Sequence, residues 1–430
     1  MSLKLLSIPE LDFHKSWYRG WNKIKDMKRL DKFMSVFWIL GPFIYLIERD
    51  PADLWLTSIG IIFLVRCFKK NDWLWASQFW FKSALALWLF SLFSAVTGPD
   101  PLFTFQQGFV WIRFPIYAAA AQAWLAKDKD IRIVMLLSIL CAMILICFIL
   151  IAENILEPKG KLMWPYGDAV PGSYLTKISL PLFCVLVAVS VRYINYLSLF
   201  SFIIVFFSLI VSLMIGERIN LIIRICAGFL ASILWKPNFK LIIILFLIIS
   251  TGFSYTLLKR PDIKTHYFVH FIKYVPILNT SDDNSYWGAW RGGIQQGIQN
   301  PMKGIGPSGT RNSCKKLNDD IPEWLPGKNY CGNHPHNFYI QLFAESGIIG
   351  LTLGALMFGS IIITCFKARL DNKNCPMAAT AFVTPFALFF PFQQFGSFFG
   401  QWGNLFIWFA IAFALSQYQS WDKLNTNLQK

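Results

Sequence analysis

A chain of 430 residues with 55% hydrophobic, 17% aromatic and only 15% charged side chains is excluded from the ordinary soluble class, whose domains run about 25% charged. Forty Lys and Arg against 24 Asp and Glu give a net charge of +16, an excess that follows positive-inside loops rather than pointing to nucleic acid. The long segments are apolar on every face, which excludes the alternating strands of a β-barrel and leaves an all-α polytopic membrane protein.

In chain order, residues 1–32 form a basic segment carrying Lys4, Lys15, Arg19, Lys23, Lys25, Lys28, Arg29 and Lys32, without the compact apolar core of a signal peptide. Phe13, Trp17, Trp21 and Ile24 recur at helical spacing. Two readings stand: a basic helix lying on an anionic membrane face, or a tail that only sets orientation. Apolar runs then predict twelve spans, near 33–48, 54–67, 79–97, 106–125, 133–152, 178–191, 196–215, 219–235, 241–258, 338–364, 377–395 and 402–418. The expected organisation is spans one to nine over 33–258, an outer loop domain over 259–337, spans ten to twelve over 338–418, and a tail over 419–430.

Lys and Arg set the sidedness. With the N-terminus inside, the inner connections hold Lys69 and Lys70, Lys127, Lys129 and Arg132, Arg192, Lys236 and Lys240, and Lys367, Arg369 and Lys373. The short outer ones hold Arg49, Lys159, Lys161 and Arg218. Both termini are therefore expected in the cytoplasm. The outer loop from about Lys259 to Pro335 is polar and rich in Gly, Pro, Asn and Asp, and its ten Lys and Arg escape the charge rule because long loops do. A shorter outer loop runs from Glu153 to Lys177.

Seven of nine cysteines lie in or beside spans and read as apolar filler. Cys314 and Cys331 fall in the large outer loop 17 residues apart. An oxidising exterior would pair them, and closing a loop of that size contributes roughly 3 kcal/mol. A zinc site drawing on Cys314, Cys331, His334 and His336 is the weaker alternative, since the spacing matches no finger pattern.

Several polar residues demand a reason. His334-Pro335-His336-Asn337 ends the long loop at the mouth of a span, and imidazole trades protons near neutral pH. Arg218 stands between two spans with almost no loop around it; it either pairs with Glu217 or faces outward to hold phosphate, for which its planar fork suits it. Arg291 shares a helical face with Trp287, Ile294 and Ile298, which fits either a cation presented to a lipid head group or snorkelling at the surface. Arg113 lies inside a span and faces a cavity or a neighbour's carbonyls. Arg311 follows the glycine-rich turn 304–309, which reads as a phosphate cradle or, more simply, as a tight loop closing the cap. Asp50, Asp53, Asp282, Asp283, Asp319 and Asp320 are the carboxylates able to hold a metal, though such residues more often cap helices and turns. With no nucleotide loop, a substrate must arrive activated and already in the membrane. Arginines neutralising a diphosphate leaving group, a histidine taking a proton from an attacking hydroxyl and an apolar body holding a lipid tail describe a glycosyl diphosphate lipid as donor.

At His336 a pattern emerges. His336-Asn337, nine residues, then Gly347-Ile348-Ile349-Gly350 resembles the His-Asn-x9-Gly-x-x-Gly motif of the bacterial O-antigen ligase family. Asn300 to Pro307 is similar to the loop segment of the same ligase and polymerase superfamily, and Gly216-Glu217-Arg218 to its arginine at the outer end of a span. The resemblance implies a metal-independent, cofactor-free, inverting glycosyltransferase of the GT-C type in the bacterial inner membrane, with a periplasmic loop between spans nine and ten. It would move glycan from undecaprenyl diphosphate to a sugar hydroxyl of lipid A-core. By position His336 becomes the general base and Arg218 and Arg291 the donor diphosphate ligands, with His334, Asn337, Arg311, Arg113 and Glu217 in support. Asn337 also suits an N-cap. The competing readings are a polymerase using the same donor and, from another class, a carrier or flippase. The two halves of the chain show no similarity to favour the latter.

Overall fold

The computed structural model describes residues 13–157, 161–168, 170–192, 194–269, 286–313, 334–391 and 396–418, and every regular element among them is helical. Helix α1 (Phe13–Asp26) leads into α2 (Arg29–Ile39), α3 (Gly41–Ile47), α4 (Arg49–Lys70), α5 (Phe79–Val96), α6 (Pro101–Phe109), α7 (Arg113–Ala120) and α8 (Lys129–Leu156). After a short helical segment, Pro171–Ile178, come α9 (Leu180–Ser190), α10 (Tyr196–Ile215), α11 (Arg218–Leu234) and α12 (Phe239–Lys259). Between α12 and the last helices, α13 (Tyr286–Gln299) precedes the long α14 (Phe338–Asp371), and α15 (Gln401–Leu415) is the last described helix.

Six of these helices, α4, α5, α8, α10, α12 and α14, are long and apolar enough to cross a bilayer, and the bent pairs α2–α3 (51°) and Pro171–Ile178 with α9 (60°) bring the number to eight. The protein is a multi-pass membrane protein. The remaining four of the twelve expected spans fall on shorter or interrupted helices. The 106–125 segment is broken by a 3-10 turn at Val110–Ile112 and a π turn at Ala121–Leu125. Helix α11 has 17 residues and carries Arg218 and Arg224, and the apolar stretches Pro376–Leu388 and Gln401–Leu415 are shorter still. On α12 only Leu245 is buried, as suits a helix whose surroundings are apolar.

Within the N-terminal segment, Phe13–Asp26 is a helix. Ser16 and Ile24 turn inward, while Trp17, Tyr18 and Trp21 lie outward. Arg19 reaches Asp130 at 3.2 Å, and Lys23 reaches Asp128 at 2.7 Å and Asp130 at 2.9 Å, so α1 is docked on the turn before α8.

One expectation is corrected inside the bundle. Arg113 faces neither a cavity nor bare carbonyls. Its guanidinium meets the Asp53 carboxylate at 2.7 and 2.9 Å and Thr57 at 3.3 Å. A charge withdrawn from water needs such a partner, and the pairing commits both Arg113, offered as a support for the donor, and Asp53, offered as a metal ligand, to each other. Asp282, Asp283, Asp319, Asp320 and the proposed disulfide between Cys314 and Cys331 lie outside the described residues.

Candidate functional site

The site is built around a break in α14. At Gly347 the backbone adopts φ 63° and ψ −167°, a region open in practice only to glycine. The break frees backbone groups that a continuous helix would consume, and the loop after α13 takes them up. Ile305 N–H donates to Ala344 O at 3.1 Å, Gly306 N–H to Glu345 O at 2.8 Å, and Ile348 N–H to Pro301 O at 2.8 Å. Two chains this close leave no space for side chains: a Cβ on Gly304, itself at φ 69°, would come within 2.6 Å of Glu345 O.

Inside this crossing sits Glu345, which sequence reasoning missed. Its side chain is fully buried. The carboxylate accepts the Ser308 N–H at 2.8 Å, the Thr310 hydroxyl at 2.7 Å and the Gln341 amide at 3.0 Å. The glycine-rich turn 304–309 therefore spends the Ser308 amide on a protein carboxylate. Helix α5 and the residue after it back it from the other side: Ser94 Oγ donates to Lys303 O at 2.5 Å and Glu345 O at 2.9 Å, and Lys303 Nζ donates to Thr97 O at 3.1 Å. Arg311, the next residue after the latched Thr310, is exposed.

His336 precedes α14 at φ 54°, a left-handed conformation that histidine tolerates better than most residues. Asn337 caps the helix as its type suggests, its side-chain oxygen accepting from Tyr339 N–H at 2.9 Å and Ile340 N–H at 3.1 Å. Its amide donates to Pro391 O at 2.6 Å, and Tyr339 Oη donates to Phe389 O at 2.6 Å, so the histidine run is pinned from below. The His334 and His336 rings lie 4.2 Å apart. Burial, reinforced by His336 and Arg311, lowers the His334 pKa to about 4, which keeps that ring neutral at ordinary pH. Neither of its buried ring nitrogens has a hydrogen-bond partner among the described residues.

Arg291 rides on α13. That helix lies on α14 through its glycines: a Cβ on Gly293 would come within 3.0 Å of Pro335 Cβ, and one on Gly297 would strike Phe343. The contact places the Arg291 helix directly against the His334–His336 run. The Arg291 side chain is enclosed by the protein, and its three guanidinium nitrogens have no hydrogen-bond partner among the described residues. By helical geometry it stands about 160° round α13 from Gly293, away from the α14 contact.

Arg218 occupies a second corner. Gly216 ends α10 at φ 82° and α11 begins two residues later, so the turn has no room to spare. Glu217 lies against Gly172, accepts a short hydrogen bond from the Asn220 amide, and is held within reach of Lys161 and Lys177. Burial pushes its carboxyl pKa up. Arg218 is half-buried at the first position of α11, with Tyr267 within electrostatic reach. A cation at a helix N-terminus opposes the dipole, whereas an anion bound there would satisfy both. Lys177, buried and 3.1 Å from Ser173 Oγ, is a further cation that the sequence reading passed over. A buried lysine near Glu217 is invisible in a linear pattern, because forty residues separate them.

No curated protein matches the chain. Residues 172–355 match a family model described as O-antigen ligase. The matched stretch runs from the segment carrying Lys177, through Arg218, Arg291 and His336, to the crossing of the 301–306 loop with α14. Over that stretch, 184 of the 430 residues, the chain is similar to the O-antigen ligase family.

Proposed function

We propose that the protein is an O-antigen ligase that transfers glycan from undecaprenyl diphosphate to a sugar hydroxyl of lipid A-core, at the periplasmic face of the inner membrane and without metal. The observation that carries this reading is Arg291: a guanidinium enclosed by the protein whose three nitrogens have no hydrogen-bond partner among the described residues, on the face of α13 turned away from α14 and within the stretch similar to O-antigen ligases. An unpaired buried charge is costly, and a diphosphate oxygen is the group that would complete it.

In the reaction His336 takes the proton of the acceptor hydroxyl while that oxygen forms a bond to the anomeric carbon. The bond from that carbon to the diphosphate oxygen breaks, and the leaving charge falls on groups held by Arg291 and Arg218. Attack opposite the leaving group inverts the anomeric centre. Neutral His334 beside His336 lets the latter gain its proton without a second cation at ring-contact distance. Arg311 and Asn337 serve as supports, the first near the histidines and the second fixing the helix they precede.

The test supplies purified protein with lipid-linked glycan and lipid A-core. Transfer to the core by wild type, with at least a hundredfold loss in His336→Ala at normal expression, supports the reading. Chain growth on undecaprenyl diphosphate alone would assign a polymerase instead, and full activity in His336→Ala would leave transport as the better account.

A further inference from the structure

We propose that Glu345 is a positioning residue whose carboxylate latches the 304–310 loop, and with it Arg311, to the helix that His336 precedes, so that loop and base form one rigid wall of the donor site. The inference rests on the glycan-transfer reading above and adds to it a residue and a linkage.

Glu345 is a carboxylate that spends itself on three neutral protein donors. Two of them, Ser308 N–H at 2.8 Å and the Thr310 hydroxyl at 2.7 Å, belong to the loop. The third, the Gln341 amide at 3.0 Å, belongs to the first turns of α14, one turn below the Asn337 cap. Gln341 extends the linkage. Its amide also reaches Ser397 Oγ at 2.8 Å, and its carbonyl accepts Phe398 N–H at 2.7 Å. One carboxylate thus ties the Arg311 loop, the His336 helix and the segment before α15. A buried carboxylate is costly to desolvate and a purely structural joint would be served by an amide or hydroxyl. Here all three partners are donors aimed at its two oxygens, whereas an amide in its place would offer one acceptor oxygen and a donor nitrogen. The Arg311 guanidinium itself stays exposed, next to His334, with its charge unspent on Glu345.

The test uses the full-length protein with Glu345→Gln and, because that variant places an amide group against donors and can fail to fold, Thr310→Val, which removes one loop bond without touching α14. Hydrogen–deuterium exchange is read on the peptide covering 304–311, with α15 as internal reference. The expected result is exchange at least tenfold faster in the loop and unchanged in α15. In transfer assays Thr310→Val raises the donor KM about tenfold with kcat within about twofold, and Thr310→Val combined with Arg311→Ala is no worse than Arg311→Ala alone. Unchanged loop exchange in both variants overturns the latch. Faster exchange with unaltered donor KM, or additive losses in the double variant, overturns its role in positioning. Should wild type transfer no glycan, the functional reading fails, and the exchange experiment still decides whether Glu345 holds the loop.

Discussion

Replacing Gly347 by alanine tests the crossing on which the site depends. At φ 63° and ψ −167° an alanine meets a backbone penalty of about 1–3 kcal/mol. Its Cβ would overlap the Met302 carbonyl carbon and fall 2.7 Å from Lys303 N, both backbone atoms with no rotamer to yield. The two chains must part, and the bonds from Ile305 to Ala344, Gly306 to Glu345 and Ile348 to Pro301 go with them. At about 0.5–1.5 kcal/mol each, the whole perturbation comes to about 3–7 kcal/mol. Gly359 is the control: it lies in the same helix with nothing within 4 Å of an added Cβ, so alanine there gains up to about 1 kcal/mol of helix propensity. Thermal unfolding in detergent, followed by tryptophan fluorescence, should place Gly347→Ala well below wild type and Gly359→Ala at or slightly above it. Equal melting of the two variants would refute the crossing as the source of the glycine requirement.

Other outcomes follow from the same geometry. The folded His334 pKa of about 4 lies below its ordinary value of 6.5. The folded state then binds fewer protons, and stability is lost as pH falls from about 6.5 toward 4; His334→Phe should flatten that decline in melting temperature measured across the window, and an undiminished slope would locate it elsewhere. Arg113→Ala should cost about 1–3 kcal/mol by leaving Asp53 unpaired while the donor KM stays constant, and Asp53→Ala in the same chain should recover part of the loss; a raised KM at unaltered stability would return Arg113 to the substrate site. Arg218→Lys should restore only part of the donor affinity lost in Arg218→Ala, because a point charge lacks the bidentate fork. A lysine variant with wild-type KM in a transfer assay would argue against a planar clamp on diphosphate.

Composition and run length by themselves determined the helical membrane class, because burying backbone in lipid leaves few alternatives and apolar runs advertise the result. The Asn337 cap was legible for a similar reason, since capping acts within a few residues. Span number was less so: Arg218, Arg224 and the breaks around Val110–Ile112 and Ala121–Leu125 interrupt helices that hydropathy alone runs together. Tertiary structure alone decided the partners of the charged groups. Arg113 finds Asp53 sixty residues away, and Glu345 finds Ser308 and Thr310 at separations of 37 and 35 residues. A carboxylate and its donors have no periodic relation in sequence. They are brought together by the packing of glycine-faced helices, and only that packing distinguishes a charge held for structure from one left for a substrate.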